Sequence, residues 1–151
     1  MVCRVLADNG GCRAVTKTLE QERAAYALAK VRDIREKLDA EKADKFASYV
    51  ESLPATILSN GLGQTAATLL AQAKGRDDVP HRMLYNALQA WLCRDEIQAP
   101  YRSEGDLMNA IINNDRNTYL HAQAEALAWL AWLKKFAVAY LKKEKKKEGD
   151  G

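Results

Sequence analysis

From Ala126 to Leu133 the chain runs without one polar side chain, and two tryptophans lie inside the run. It is far shorter than the roughly 20 residues of a membrane-spanning helix. Apolar residues continue beyond it at helical spacing through Phe136, Tyr140 and Leu141, so the segment reads as a helix that is apolar over more than half its circumference. A helix that merely covers a small domain needs a stripe nearer 100° wide. Leu127, Trp129, Leu130, Leu133, Phe136, Ala137, Tyr140 and Leu141 fall on the core side, and Trp132 projects to a flank shared with Lys135 and Lys142.

The rest of the chain repeats the helical period. Thr18 with Gln21 fits a capping box, Glu20 and Glu22 suit the positive end of the helix dipole, and Ala24, Ala27, Leu28, Val31, Ile34 and Leu38 form one stripe. A second helix is expected over about Glu41 to Leu53, with Phe46 and Val50 inward. Pro54 can end it and occupy the first turn of the next helix, where its missing N–H is harmless. The apolar phase then runs unbroken to Ala73. One helix from Pro54 to Lys74 carrying Gly61 and Gly63 is therefore favoured over two short helices with a cap at Gly61. Gly75 to Pro80 is a turn, and a helix to about Cys93 puts Leu84, Leu88, Trp91 and Leu92 on one side. After a loop from Asp95 to Arg102, Ser103 with Asp106 opens a short helix over Glu104 to Asn113. Asp115 caps the last and longest helix, to about Lys143. No strand-like alternation and no solenoid repeat is present. The expectation is an all-α, compact single-domain bundle of about six helices, whose long first and last helices are neighbours. Residues 1–15 form a weakly ordered N-terminal arm with a turn signal at Asn9-Gly10-Gly11, 16–143 the bundle, and 144–151 a charged disordered tail.

Chain length permits one domain with a real core. Leu, Ala, Lys, Glu and Arg dominate, as in a helical protein, and the formal net charge of +3 comes largely from the Lys142–Lys147 end, so it does not by itself imply nucleic-acid binding. Cys3, Cys12 and Cys93 are odd in number and lack Cys-x-x-Cys spacing, which suits reduced thiols in a cytoplasm and leaves a Cys3–Cys12 disulfide open. Without a signal-peptide h-region the expected location is cytoplasmic. Catalysis is not expected. His81 and His121 have no partners at metal-ligand spacing, and Gly61-Leu-Gly63 lacks the lysine and preceding strand of a phosphate loop. His81 and Cys93 lie twelve residues apart on one helix, about 18 Å along its axis. No metal or cofactor is expected.

Cations are phased. Arg23, Lys30 and Lys37 are seven residues apart on the first helix, and Lys135 and Lys142 repeat that spacing on the last. Such lines can meet several phosphates of a strand laid across both helices, with salt-sensitive affinity. They can also be a solvated face, since Glu20 and Asp33 stand at pairing distance from Arg23 and Lys37. Without a base-reading module, any contact is to backbone and shape.

Gly61 and Gly63 lie within Ser52-Leu-Pro-Ala-Thr-Ile-Leu-Ser-Asn-Gly-Leu-Gly-Gln-Thr65. Glycine inside a helix costs on the order of 1 kcal/mol relative to alanine, a cost kept where something must approach closely. This stretch resembles the signature of the small all-helical subunit of the Cmr module, the RNA-targeting type III-B CRISPR effector complex. Lys17-Thr-Leu-Glu-Gln21 with Arg23 and Tyr26, Leu84-Tyr85 with Trp91-Leu92, and Glu125 to Leu141 follow in that family's order, so the resemblance covers about Lys17 to Lys143. It implies a non-catalytic subunit, copies of which stack head-to-tail beside the subunits that hold the guide RNA and line the channel where target RNA pairs. It further implies Lys17, Arg23, Lys134, Lys135 and Lys142 as phosphate contacts, and Asn60, Gly61 and Gln64 as contacts to a partner or to RNA backbone; Trp132 is a candidate partner contact from its place on the helix flank. Asn60 and Gln64 can equally satisfy helix carbonyls, Ser52–Thr65 can owe its character to close helix packing, and Trp132 can pack beneath the arm or a loop. The implied partners are other Cmr subunits, guide RNA, target RNA and further copies of the chain, with a monomer or weak self-association in isolation. The rival reading is a helical protein–protein adaptor without nucleic-acid contact.

Overall fold

The computed structural model describes residues 4–8 and 11–143, with side chains from Thr16 onward. Six helices form an all-α bundle: α1 (Leu19–Lys37), α2 (Ala40–Asn60), α3 (Leu62–Ala73), α4 (Pro80–Leu92), α5 (Leu107–Asn113) and α6 (Arg116–Tyr140). Ahead of them stands an antiparallel pair, β1 (Arg4–Asp8) and β2 (Gly11–Val15), in register Arg4 to Val15. The hairpin is a correction, because no strand alternation is legible there. The signal was the Asn9-Gly10 dipeptide between the strands, the strongest short-range hairpin marker. The tail 144–151 and the question of a Cys3–Cys12 disulfide lie outside the described residues.

Capping sets the helix starts. Thr18 accepts from the Gln21 amide while Gln21 reaches back to the Thr18 N–H, so the capping box is complete. Asp39, Asp106 and Asp115 cap α2, α5 and α6 through the amides of Lys42, Asn109 and Thr118. The short helix therefore begins after Asp106, later than Glu104, and α6 ends at Tyr140, earlier than Lys143.

Two expectations about the middle of the chain are overturned together. α2 does not stop at Leu53 but runs through Pro54 to Asn60, and the predicted single helix from Pro54 to Lys74 is broken at Gly61. Gly61 has φ +84° and ψ 161°, a backbone state open essentially to glycine alone. The apolar phase carried across the break because Ile57, Leu62, Thr65 and Leu69 all enter the core from either side of it.

α6 is the hub. It packs most extensively against α1, then α2, and also touches α3 and α4. Its buried apolar residues, Ala122, Ala126, Trp129, Leu130, Leu133 and Ala137, recur at three and four and form one stripe, flanked by the half-buried Leu127, Trp132 and Phe136, whereas Tyr140, expected on the core side, is exposed. The loop before α5 is sewn to α4: the Tyr85 hydroxyl donates to Asp106 and accepts the Met108 amide, and Gln89 accepts the Leu107 amide.

Candidate nucleic-acid interface

The expected phosphate contacts do not share one condition. Arg23 is turned inward: its Nε and Nη2 donate to the two carboxylate oxygens of Glu125 at 2.8 and 2.7 Å, and its Nη1 donates to Glu20. Glu125 is 4% exposed and also accepts from Trp91 Nε1 at 3.1 Å. The guanidinium of the buried Arg94 lies 3.6 Å over the Trp91 ring, which stacks on Trp129. Hydrogen bonding to Glu125 raises the Arg23 pKa further, so the guanidinium stays charged. Two of the three Arg23 nitrogens serve the core.

The other members of the α1 line are matched by carboxylates. Lys30 and Lys37 both pair with Asp33, at 3.7 and 3.0 Å. Lys142 does not continue a line from Lys135, because α6 ends first; its Nζ meets Ser48 Oγ at 2.7 Å and Glu51 at 3.2 Å on α2. Lys17, Lys134 and Lys135 are exposed and make no ion pair among the described residues. Lys134 and Lys135, with Ala131 and Val138, line a shallow depression of about 440 Å³ on the outer face of α6.

Trp132 sits beside that depression. It packs against Phe136, carries Lys135 Nζ 5.9 Å over its ring, and donates from Nε1 to Glu20 at 3.1 Å. The bonds from Arg23 and Trp132, with the nearby charges of Arg23 and Lys135, hold the Glu20 carboxyl below its ordinary range. Glu20, Arg23, Trp132 and Lys135 thus form one cluster across the α1–α6 seam, with Lys134 on the other flank of the depression.

The residues around the double glycine are a separate place with a packing role. The Leu62 amide donates to Gln123 Oε1 and the Gly63 amide to the Tyr119 hydroxyl, each at 3.0 Å, so α6 side chains cap the start of α3. Thr65 Oγ1 returns to the Gly61 carbonyl at 2.8 Å. A Cβ on Gly61 would stand 2.9 Å from the Tyr119 hydroxyl. Asn60 and Gln64 are exposed at this junction.

His81 stacks on Tyr49 at the far end of α4 from Cys93. Burial pushes the Cys93 thiol up to about 11, leaving a thiolate fraction near ~0.1% at pH 8. In a Cys3→Ser/Cys12→Ser variant, thiol labelling at pH 8 is expected to be at least ~10-fold slower in the folded protein than in urea. Among the described residues no group of three or more metal-ligating side chains comes together, and no helix is long and apolar enough to cross a membrane.

Glu125, Tyr119 and Gln123 were missed as site-forming residues. Glu125 carried a signal, since a lone carboxylate on the apolar face of a helix demands a partner. Tyr119 and Gln123 carried none, because their role depends on where α3 begins. A sequence model of the family described as CRISPR-associated protein (Cas_Cmr5) matches residues 19–140, from the first residue of α1 to the last of α6.

Proposed function

The chain belongs to the Cas_Cmr5 family, the small subunit of the type III-B CRISPR Cmr module, and from that premise we propose that it is a non-catalytic subunit which stacks beside the guide RNA and contacts RNA through backbone phosphates. The observation that carries this reading is the Lys134–Lys135 pair, exposed without carboxylate partners among the described residues on either side of a shallow depression. Lys17 adds a third exposed cation just ahead of α1. Arg23 and Lys142 contribute less, being held by Glu125 and by Glu51.

Stacking needs two different complementary surfaces, and contacts of that kind do not close into a dimer. Leu58 at 72%, Ile112 at 70% and Leu120 at 50% exposure lie on the segments that converge on Gly61, and they suit contact with a neighbouring subunit. Leu120 is separated from Lys135 by fifteen residues of α6, about 22 Å along the axis. Apolar contact and phosphate contact therefore occupy different parts of the surface.

The test is reconstitution with the other Cmr subunits, a guide RNA and a matched target. Lys134→Glu with Lys135→Glu is expected to leave assembly intact, weaken target retention, and reduce the slope of log affinity against log salt by about 1.5–2. An unchanged slope and unchanged retention would sink the RNA contact and favour the adaptor. The isolated chain is expected to sediment as a monomer or a weakly associating species, and to bind RNA far less well than the assembly, where repeated sites add.

A further inference from the structure

We infer that Glu20 is a built-in occupant of an oxyanion site formed by Arg23, Trp132 and Lys135, and that an RNA backbone phosphate replaces it when the strand binds. This rests on the RNA-contact reading above and adds where one phosphate goes and what it must displace. Donors of two kinds from two helices already converge on one carboxylate: the Arg23 guanidinium from α1 and the Trp132 indole N–H from α6. The Lys135 ammonium lies over the Trp132 ring. A carboxylate and a phosphodiester both present two charge-sharing oxygens, so a site that holds the first has the chemistry for the second.

The site survives the departure of its occupant. Arg23 is anchored by Glu125 through Nε and Nη2, which leaves Nη1 as the atom facing Glu20. Trp132 is held by Phe136. Glu20 is the mobile member: its side chain is 60% exposed, against 15% for Arg23, and it can swing into water. Once it does, Arg23 and Lys135 outweigh Glu125 by one positive charge, and the first turn of α1 adds the favourable end of its dipole. The depression between Lys134 and Lys135 lies alongside, where the neighbouring phosphate can sit.

The test uses the full chain with a fluorescent single-stranded oligouridine at about 50 mM salt. Glu20→Gln is expected to tighten binding by about three- to tenfold, because the competing anion is gone. Glu41→Gln, which removes an exposed carboxylate from α2, is the charge-matched control and is expected to change affinity less than ~2-fold. Adding Trp132→Phe to Glu20→Gln is expected to take back most of the gain. Equal effects of Glu20→Gln and Glu41→Gln would overturn the inference and leave the RNA reading standing. No binding by any variant of the isolated chain, together with unchanged target retention when Glu20→Gln is placed in the reconstituted complex, would overturn the inference. Loss of the RNA reading as well would need the Lys134→Glu/Lys135→Glu complex to retain target unchanged.

Discussion

Replacing Glu125 with alanine is expected to cost roughly 3–4 kcal/mol of folding stability, the low end for breaking a buried pair with a margin for partial exposure of Arg23. The carboxylate is nearly inaccessible and accepts three hydrogen bonds, two from Arg23 and one from Trp91. Without it, two nitrogens of an Arg23 side chain that is only 15% exposed and a buried indole N–H lose their acceptor together. Urea unfolding reads the loss directly, and the melting temperature is expected to fall by roughly 6–16 °C for a chain of this size. Replacing both charges, Arg23→Met with Glu125→Leu, is expected to recover most of the stability, since the penalty belongs to the orphaned partner. A double variant as unstable as Glu125→Ala would show that packing, not charge, sets the cost.

The second large effect separates two glycines that look alike in sequence. Gly61→Ala is expected to destabilise by about 2–4 kcal/mol, because its backbone state disfavours any Cβ and that Cβ would press on the Tyr119 hydroxyl at 2.9 Å. That hydroxyl is the acceptor for the Gly63 amide, so pushing it away also uncaps α3. Gly63→Ala is expected to be neutral or to stabilise by about 0.5 kcal/mol, since alanine is the better helix former. Its Cβ would meet Ile111 and Tyr119 at an ordinary 3.6 Å. Thermal unfolding of the two variants checks both. Similar losses at the two positions would contradict the break at Gly61, and a stable Gly61→Ala would contradict the conformation assigned to it.

The same pair shows where legibility ended. Both glycines stood out because each interrupts an apolar period; close approach, together with a positive φ, accounts for Gly61 and not for Gly63, where a Cβ meets only ordinary contacts. Which of them breaks the helix was not legible, because phase survives a break when both halves turn the same face to the core. Pro54 misled in the same place: it reads as a stop, yet the following turn stays helical with Leu53 and Ile57 buried on either side. At the interface, cation spacing predicted lines along α1 and α6. Spacing records which residues share a face and which carboxylates stand one turn away on the same helix, as Asp33 does for Lys37, but not which carboxylates other helices bring. Asp33 absorbs Lys30 and Lys37, and Glu51 on another helix meets Lys142.

The sequence by itself determined the helical periodicity, the caps at Thr18 and Asp115, the all-α bundle and, through motifs spread along the chain, the family. Those are local matters, fixed by side chains three and four residues apart. Tertiary structure decided which cations lack a carboxylate among the described residues, that a glutamate within the apolar face of α6 holds Arg23, and that Trp132 faces Glu20. Those contacts join residues about a hundred positions apart. A period along one helix carries no information about what stands opposite it, and for charged groups the opposing partner decides the role.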